Sequence, residues 1–424
     1  MTDDGPTTSM PQPTTPGTLV VISQVYVPDA MAVGQQLADA AEEMARRGWR
    51  VIVYTSNRGY DDPDIRFPSR ERRGGVEIRR LPLSSFGKTS IPIRLLAQSL
   101  FLGQAVLRTL FVPGLNAVLT TTSPPFGGAG GGLVAMLRRC RSVWWVMDIN
   151  PDQMVAAGKL GRTSLPVRVF EWLNRLTLDC ARNVIVLDRF MAERIQGKRD
   201  VGARMRIIPP WAHEQHLEVV PHAGNPFRRE HGLDGKCVIM YSGNAGLSTP
   251  LDTLLAAAKR LEHDPRFHFM FIGGGIVKRQ IDEMVRRESP PNISCLPYQP
   301  LDRIKYSLSA ADIHVVSIGD ESVGIIHPCK IYGAMALGKP ILALGPDASH
   351  LGDIVRESGG AWMHRHGDVD GVVETLERFV ALPQAERDAC GARAVACLRS
   401  RYRPATLLGQ VCDIIAGDRA PGRP

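Results

Sequence analysis

The chain has 424 residues, of which 44% are hydrophobic and 22% are charged, and its formal net charge at pH 7 is +8. This length exceeds one ordinary hydrophobic core, so we expect two domains with short additional segments. The composition is typical of a soluble globular protein. Nothing near Met1 has the basic-then-apolar layout of a signal peptide, and no uncharged apolar run reaches membrane-spanning length.

The eight cysteines are scattered, with no C-x-x-C pair and no cysteine–histidine cluster at metal-ligand spacing. Several lie in apolar or helical surroundings, which indicates small buried residues in a reducing compartment. The pattern disfavours a disulfide framework and a structural zinc site. We therefore expect a cytoplasmic protein.

Arginine supplies most of the positive charge, and it is concentrated in two groups. These are Arg46, Arg47 and Arg50, and then Arg66, Arg70, Arg72, Arg73, Arg79 and Arg80. Three interpretations compete: a solvated face, an anionic membrane surface or a nucleic-acid site. The solvated face is favoured and the membrane surface comes second, because no aromatic stacking set or nucleic-acid motif accompanies the charge. We expect no nucleic-acid partner.

Strands and helices alternate after a leader, residues 1–18, whose Thr and Pro content predicts disorder. Between the first two apolar segments, hydrophobic residues recur at helical spacing at Val33, Leu37, Ala40, Ala41 and Met44. A strand–helix–strand unit of this kind predicts a parallel, doubly wound sheet. The strands predicted in this half are 19–23, 49–55, 117–121, 142–147 and 183–187.

The alternation restarts in the second half, after a stretch that lacks any period. We predict one domain at 19–215, a linker at 216–235, a second domain at 236–400, and a final helix and tail at 401–424. The strands predicted in the second domain include 237–241, 267–272, 293–296 and 313–317. Two parallel α/β domains with ligand-facing loops at their strand ends leave a cleft between them.

The segment from Val323 to Leu342 is the most informative of the chain. It is predicted to be a glycine-containing loop, a short helix and a return into an apolar strand. Lys330 lies in the first turn of the helix, where free backbone N–H groups and the positive end of the helix dipole favour an anion. This arrangement can hold a phosphate group without a metal.

A second strand-end loop, Tyr241 to Pro250, carries Gly243, Asn244 and Gly246. Glycine lets the backbone approach a ligand, and Asn244 offers a polar side chain. The signal alone is weak, because glycine and asparagine also dominate ordinary turns. Together with the Lys330 loop, it predicts two loops of one domain directed at one anion.

Two candidates lie in the first domain. Asp148 directly follows a hydrophobic strand, and a carboxylate there can accept a proton or bind a hydroxyl. Its alternative role is to cap the next helix, for which Asp152 competes. Gly34, near the start of the first helix, either lets a substrate approach or relieves crowding between helix and sheet.

The glycine runs 127–132 and 273–275 do not have the spacing of a phosphate-binding motif. Close helix packing or a mobile loop explains the first run, and a tight turn explains the second. The eleven histidines form no ligand set. His327, inside the Lys330 loop, is interpreted as a surface or hydrogen-bonding residue.

The block Pro328-Cys-Lys-Ile-Tyr-Gly-Ala-Met-Ala-Leu-Gly-Lys-Pro340 closely resembles the nucleotide-sugar loop of family-4 glycosyltransferases, in the branch with a Pro-Ser-Lys-type signature. Pro328-Cys329-Lys330 is this chain's version. The resemblance runs from about residue 19 to the C-terminus. It includes Asp148-Ile-Asn-Pro-Asp152 and Tyr241-Ser-Gly-Asn244. The first half is most similar to bacterial members that build capsular, colanic-acid-type or O-antigen polysaccharides.

This resemblance implies the GT-B fold: two Rossmann-like domains, with the nucleotide-sugar on the C-terminal one and the acceptor on the N-terminal one. It implies that the last helix crosses back to the first domain. It further implies transfer of a hexosyl or N-acetylhexosaminyl group to a hydroxyl with retention, without cofactor or metal. The residues implied in donor binding are Gly34, Gly243, Asn244, Gly246, Glu321, Gly324, Pro328 and Lys330. Lys330 and the amides from Gly324 to Cys329 would compensate the leaving diphosphate, and Asp148 falls in an acceptor-side block.

One departure from the family concerns two glutamates, eight positions apart, that many members carry. Ile325 and Gly333 stand there in this chain, and neither can make the usual ribose contact. Glu321 and Asp320 are candidates for that contact only through their proximity in sequence. The departure keeps a non-catalytic homologue open, and an isomerase resembling a nucleotide-sugar 2-epimerase is the other alternative.

The resemblance also implies a lipid-linked sugar or glycan acceptor at the inner face of the cytoplasmic membrane, with a UDP-sugar as the favoured donor. The stretch 91–108 is strongly apolar with two arginines. It suits the plane of a membrane interface, and it equally suits a core helix. Peripheral attachment to an anionic membrane is therefore a hypothesis.

Overall fold

The computed structural model describes residues 16–29, 31–59, 64–84, 91–213 and 217–417. Most of the expected leader, at 1–15, lies outside the described residues. So do residues 214–216, at the expected domain boundary, and the tail from 418 to 424. In the described part of the chain, no helix is both long and apolar enough to cross a membrane.

The first domain is built on a sheet that, among the described residues, has eight strands. They are β1 (Thr18–Ile22), β2 (Arg50–Ser56), β3 (Arg70–Arg73), β4 (Val76–Leu81), β5 (Leu115–Thr121), β6 (Arg141–Trp145), β7 (Asn183–Val186) and β8 (Met205–Ile207). Their order is β3-β4-β2-β1-β5-β6-β7-β8, and every pair is parallel except β3–β4. All five residues of β1 are buried, as expected for a central strand covered on both faces.

Helices cover both faces of this sheet. They are α1 (Ala32–Arg46), α2 (Ile91–Leu110), α3 (Gly127–Arg138), α4 (Asp152–Ala156), α5 (Leu165–Cys180) and α6 (Arg189–Lys198), with a 3₁₀ turn at Gly202–Arg204. The glycine run forms the start of α3. A Cβ on Gly128 would lie 2.3 Å from Thr177 Cγ2, and one on Gly132 would lie 2.7 Å from Cys180 Cβ. Close packing of α3 against α5 therefore requires these glycines.

The arginine-rich segment forms an edge hairpin that the sequence pattern did not predict. All four residues of β3 are exposed, which agrees with a solvated face. Arg80 of β4 is the exception, because its side chain is buried. Its guanidinium pairs with Glu71 at 2.7 Å and donates to the carbonyl oxygen of Val27 at 3.0 Å.

The second domain has six parallel strands among the described residues, in the order β11-β10-β9-β12-β13-β14. They are β9 (Cys237–Asn244), β10 (Phe267–Gly274), β11 (Ile293–Leu296), β12 (Ile313–Ser317), β13 (Ile341–Leu344) and β14 (Ala361–His364). The helices are α7 (Pro226–Glu230), α8 (Asp252–Arg260), α9 (Ile276–Glu288), α10 (Ile304–Ser309), α11 (Lys330–Ala336), α12 (His350–Ser358), α13 (Val369–Ala381) and α14 (Gln384–Arg401). Short 3₁₀ turns lie at His222–Gly224 and Asp320–Ser322.

The stretch expected to be a linker is partly built into the second domain. Phe227 of α7 and Leu233 are fully buried, and they pack with Val238 and Met270 of the second sheet. Glycine and proline punctuate this stretch, so its sequence shows no period although two of its side chains belong to a core.

The last helix, α15 (Pro404–Ala416), packs against the first domain. Leu407, Val411 and Ile415 are buried in the same cluster as residues of α1. Arg47, which follows α1, pairs with Asp413 at 2.7 Å. The chain therefore connects the two domains twice, once between β8 and α7 and once through α14 and α15.

Candidate functional site

Three loops at the carboxyl ends of the second sheet meet beside Lys330. The loop after β9 spans 245–250, the loop after β12 spans 318–322, and residues 323–329 lead into α11. The amide of Gly319 donates to the carbonyl oxygen of Ser248 at 2.9 Å. The hydroxyl of Ser317 donates to the carbonyl oxygen of Pro250 at 2.5 Å. These bonds join the first two loops into one surface.

The ammonium group of Lys330 is held at the end of β9. It donates to the Tyr241 hydroxyl at 2.5 Å and to the carbonyl oxygen of Asn244 at 2.8 Å, and it lies 4.5 Å from the centre of the Tyr241 ring. Burial lowers the pKa of Lys330 to about 8. An anion bound here would favour the protonated ammonium and so raise that pKa again.

Glycine is required next to this lysine. The φ angle of Gly243 is +127°, and a Cβ on it would lie 2.3 Å from Lys330 Cε. Gly273, with φ +126°, approaches from β10, where a Cβ would lie 2.2 Å from the carbonyl oxygen of Gly243. Gly273 and Gly274 are the last two residues of β10, and only Gly275, with φ +108°, separates this strand from α9. The tight turn predicted for 273–275 is therefore confined to Gly275. Asn244 is exposed at this surface and Gly246 is half-buried.

The amides expected to face an anion are partly engaged within the protein. Those of Ile325 and Ile326 donate to the carbonyl oxygen of Ser322 at 3.0 and 3.2 Å, and that of Cys329 donates to His327 at 2.9 Å. The carbonyl oxygen of Pro328 accepts from Ile331 at 3.2 Å. In this conformation these three amides are not free to bind a diphosphate. The Lys330 ammonium is the group that can offer it a positive charge.

Asp148 lies where the two domains meet. It forms an antiparallel bridge with Ile326, and the amide of Ile149 donates to the carbonyl oxygen of Ile325 at 2.9 Å. Its Oδ1 atom is buried and has no hydrogen-bond partner among the described residues. Burial raises the pKa of the Asp148 carboxyl, and the Thr122 hydroxyl opposes that rise. The next helix starts at Asp152, so capping does not explain Asp148.

Gly34 packs against the loop that follows β1. A Cβ on it would lie 3.2 Å from the backbone of Tyr26, and the residue is buried. Of the two interpretations of Gly34, relief of crowding has direct support in these distances. Its contact with a donor stays a prediction.

Gly324 and Glu321 both face the first domain. Gly324 has φ +70°, and a Cβ on it would lie 2.6 Å from the carbonyl oxygen of Phe190 in α6. The Glu321 side chain is 74% exposed and lies 3.8 Å from Arg162, which is also exposed. Solvent screens such a pair strongly. A ribose contact by Glu321 stays a prediction.

The positions of the missing glutamates differ in their surroundings. Ile325 is buried at the domain junction. Gly333, on α11, borders a cavity of about 170 Å³ that Lys330 and Ser242 also line. Another cavity, of about 790 Å³, lies away from Lys330, beside the first residue of β2 and the end of α2.

Sequence reasoning missed a buried polar cluster directly behind the Lys330 loop. His327 Nδ1 lies 2.8 Å from Asp188 Oδ2, and His327 Nε2 lies 2.9 Å from the Tyr332 hydroxyl. The same hydroxyl lies 2.8 Å from His350 Nε2. The available signals were an aspartate two residues after strand β7 and a histidine three residues before Lys330. His327 is buried, so its interpretation as a surface residue was wrong, whereas a hydrogen-bonding role is correct.

Comparison with known families assigns both halves of the chain. Residues 32–211 match the model of the glycosyl transferase 4-like domain, and residues 225–395 match the model of glycosyl transferases group 1. This chain belongs to the family-4 glycosyltransferases. The predicted enzyme class is confirmed, and the isomerase alternative is not supported.

Two relatives of this glycosyltransferase are themselves named as glycosyltransferases. WcaI of Escherichia coli strain K12, named as a colanic acid biosynthesis glycosyl transferase, is 24% identical over 377 residues, which are 85% of this chain and 91% of WcaI. WbjE of Pseudomonas aeruginosa, named as a glycosyltransferase, is 26% identical over 54% of this chain. That match spans only 57% of the length of WbjE.

Solved structures confirm the GT-B fold of this glycosyltransferase. Sucrose-phosphate synthase from Thermosynechococcus elongatus has a TM-score of 0.74 at 16% identity, covering 94% of this chain and 98% of its own. The lipopolysaccharide glycosyltransferase WaaG has a TM-score of 0.68 at 16% identity, and the match covers 94% of this chain and 100% of WaaG. Anabaena Alr3699/HepE, solved in complex with UDP-glucose, has a TM-score of 0.69 at 12% identity, and the match covers 95% of this chain and 100% of HepE.

The contact between Gly243 and Lys330 predicts the effect of a single methyl group. Gly243→Ala should displace the lysine side chain and weaken the binding of UDP, used as a probe, by about tenfold or more, because a charged hydrogen-bond donor leaves its place. Calorimetric titration measures this affinity. Gly224→Ala is the matched control, since a Cβ there meets nothing within 4 Å. Equal UDP affinity in Gly243→Ala and the wild type would contradict this geometry.

The pKa of Lys330, about 8, predicts a pH dependence of UDP affinity. Only the protonated ammonium attracts the diphosphate, so affinity should be constant near pH 7 and fall above pH 8, by at most about tenfold per pH unit. Lys330→Arg should remove this fall, because a guanidinium keeps its charge. Titrations from about pH 7 to 9.5 avoid the ionisation of the phosphate itself. The same slope in both proteins would show that another group titrates.

Proposed function

We propose that this glycosyltransferase moves a sugar from a UDP-sugar to a hydroxyl of a lipid-linked or glycan acceptor, with retention and without a metal. The observation that carries the proposal is the Lys330 ammonium, which is held at the Gly243–Asn244 turn. The loop before Lys330 pairs with Asp148 of the other domain. A cation for the leaving group and a carboxylate for the acceptor are therefore available at one junction.

The donor half of the proposal concerns charge. As the bond from the anomeric carbon to the diphosphate oxygen breaks, UDP leaves with the electron pair, and its negative charge needs a nearby cation. Lys330 can supply that cation from a position it already occupies. HepE, which has the same fold, was solved with UDP-glucose, and this supports UDP as the carrier.

The acceptor half concerns a proton. A new bond forms between the anomeric carbon and the acceptor oxygen, whose proton must be taken up. Asp148 has a buried oxygen without a hydrogen-bond partner in the described part of the chain, and its raised pKa makes it a better base than an exposed aspartate. We assign Asp148 to binding the acceptor hydroxyl and receiving its proton, directly or on the way to the leaving phosphate.

Metal independence is supported by how the candidate ligands are used. Among the described residues, one group has the geometry to hold a metal ion: Asp188, His327 and His350. The side chains of this group are buried and hydrogen-bonded within one cluster, behind the Lys330 loop. We therefore assign the charge compensation to Lys330. The name of WcaI, a colanic acid biosynthesis glycosyl transferase, supports a role in the synthesis of cell-surface polysaccharide.

The test follows the fate of the donor. Purified protein with a panel of UDP-sugars and a synthetic polyprenyl-diphosphate-linked sugar should release UDP only when the acceptor is present. EDTA should leave the rate unchanged, and NMR should show the donor's anomeric configuration in the product. An altered sugar without acceptor would support an isomerase, and no reaction with any UDP-sugar would contradict the proposed donor.

Two variants separate the roles of the proposed residues. Lys330→Ala should lower kcat by about 100-fold or more, as for the loss of an oxyanion-stabilising group. Asp148→Asn should lower kcat by about 100-fold while UDP affinity is unchanged, because it acts on the acceptor side. Asp370→Asn, at a highly exposed position of the second domain, is the control. An unchanged kcat in either site variant would move the chemistry to other residues.

We also propose that the first domain attaches peripherally to an anionic membrane. Helices α2, α3 and α5 pack side by side and expose a shared apolar face. Its large exposed side chains are Ile93, Leu96, Leu100, Leu107, Leu133, Met136, Leu137, Leu165, Val169, Trp172 and Leu176, continued by Phe111. Exposed patches of this extent mark interaction surfaces. The occupant we infer is lipid, since arginines accompany the apolar residues.

Three arginines lie beside the exposed end of α2, one on this helix and two on the neighbouring strands β2 and β4, where both pair with Glu77. The cavity of about 790 Å³ is lined there by Arg50, Arg79 and Arg108, and by Leu107 and Phe111. Phe111 is 78% exposed. Apolar side chains with neighbouring guanidinium groups match the acyl boundary and the phosphate groups of an anionic bilayer.

Vesicle binding tests this attachment. The protein should co-sediment with vesicles that contain anionic phospholipid, less with pure phosphatidylcholine, and less at high salt. The double variant Leu107→Gln/Phe111→Ser should bind about tenfold more weakly, because two apolar side chains no longer enter the interface. Leu301→Gln, an exposed leucine of the second domain, is the matched control. Absence of binding to anionic vesicles at low salt would overturn the proposal.

A further inference from the structure

Four buried polar side chains form one hydrogen-bonded chain between the domains. It runs from Asp188 to His327, to the Tyr332 hydroxyl and to His350, through contacts of 2.8, 2.9 and 2.8 Å. All four residues are buried. Burying so many polar groups in a core costs free energy unless each is satisfied, so their arrangement tolerates little change.

This hydrogen-bonded chain of side chains crosses the domain boundary at Asp188. This residue lies two positions after the end of β7 in the first domain. Its Oδ1 accepts from the amide of Met191 at 2.8 Å, which caps α6. Its Oδ2 accepts from His327, three residues before Lys330. The two oxygens of one carboxylate therefore hold a helix of the first domain and the Lys330 loop of the second.

Other contacts attach the same loop to the first domain. Arg194 of α6 donates to the carbonyl oxygen of Val323 at 2.7 Å. Gly324 lies against the backbone of Phe190, and the carbonyl oxygen of Ile325 accepts from Ile149, the neighbour of Asp148. Although residues 323–327 belong to the second domain, their position is therefore fixed from the first.

The electrostatics determine the direction of the first bond. Hydrogen bonding to His327 lowers the pKa of Asp188 against the rise that burial causes, so the carboxyl is ionised at neutral pH. A carboxylate can only accept, and His327 Nδ1 must therefore be the donor. Burial lowers the pKa of His350 to about 3 and raises that of Tyr332, which keeps an uncharged imidazole and a protonated phenol at the far end.

We propose that Asp188, His327 and Tyr332 are positioning residues, which fix the Lys330 loop against the first domain so that Lys330 and Asp148 keep their relative placement during transfer. The proposal rests on the proposed function. Since Lys330 compensates the leaving group on one domain and Asp148 serves the acceptor on the other, a small displacement between them changes the rate. Displacements of about 1 Å can cost about 100-fold in rate.

Three variants test the hydrogen-bonded chain of side chains at different points. Asp188→Asn leaves one acceptor oxygen where two are used, Tyr332→Phe removes the hydroxyl between the histidines, and His327→Asn retains a donor for Asp188. Tyr402→Phe is the matched control, since its ring lies 5.1 Å from that of Tyr332 while its hydroxyl bonds to Glu357 outside the chain. Tyr332→Phe keeps the ring in place, so it remains informative if Asp188→Asn does not fold.

The first readout separates positioning from a purely structural role. At a temperature where every variant is folded, Asp188→Asn and Tyr332→Phe should lower kcat by about 10- to 100-fold. UDP affinity should change less than about threefold, because the second domain still binds the donor. His327→Asn should retain more activity than His327→Ala. Unchanged kcat in folded Asp188→Asn and Tyr332→Phe would overturn the proposal.

The second readout does not need activity. Hydrogen exchange followed by mass spectrometry should show faster exchange in residues 322–330 and 147–150 of Asp188→Asn and Tyr332→Phe, and wild-type exchange in Tyr402→Phe. Faster exchange confined to these segments supports the positioning role even if no transfer is detected, which would count against the proposed function alone. Wild-type exchange in both segments of the two variants would overturn the positioning role.

Discussion

The antiparallel contact between Asp148 and Ile326 is the constraint on which the site depends. It joins the carboxyl end of a strand in the first sheet to the loop after a strand in the second, so the two ligand-facing edges meet at a fixed point. A transferase that binds donor and acceptor on different domains needs such a reference, because the reacting atoms come from both sides. Around this contact the protein places Lys330 on one domain and, on the other, the Asp148 carboxyl, whose Oδ1 atom has no hydrogen-bond partner among the described residues.

Glycines make the approach of these elements possible. Gly243 leaves room for the Lys330 stem, Gly273 lets β10 reach the turn of Gly243, and Gly324 lets the loop lie against α6. All three have positive φ angles, so a side chain would be strained at these positions as well as crowded. These glycines thus contribute because they have no Cβ atom.

The local fold was largely predictable from sequence. The β1–α1–β2 unit, the central strands of both sheets and the Lys330 loop were predicted correctly, because apolar runs and helical periodicity are local signals. The hairpin β3–β4 was missed, because its many arginines obscure the alternation of polar and apolar residues that would indicate an edge strand. The run 226–233 was read as a linker because its turn residues obscured the burial of Phe227 and Leu233.

The candidate site was only partly accessible to such reasoning. Lys330, Gly243 and Asp148 were identified from their places after strands, and the structure groups the first two directly and joins Asp148 to the same loop. The partner of His327 could not be found, because Asp188 is 139 residues away. Likewise, the need for glycine at 34 and 324 depends on Tyr26 and Phe190, which no local pattern connects to them.

The sequence by itself determined the two parallel α/β units, the lysine at a helix start and the likeness to a sugar-transferring family, because these follow from short-range periodicity and a contiguous motif. Only the tertiary structure decided which groups meet across the domain junction and which polar side chains are buried there. Contacts between residues far apart in the chain depend on how whole sheets pack, and packing is a property of the assembled fold.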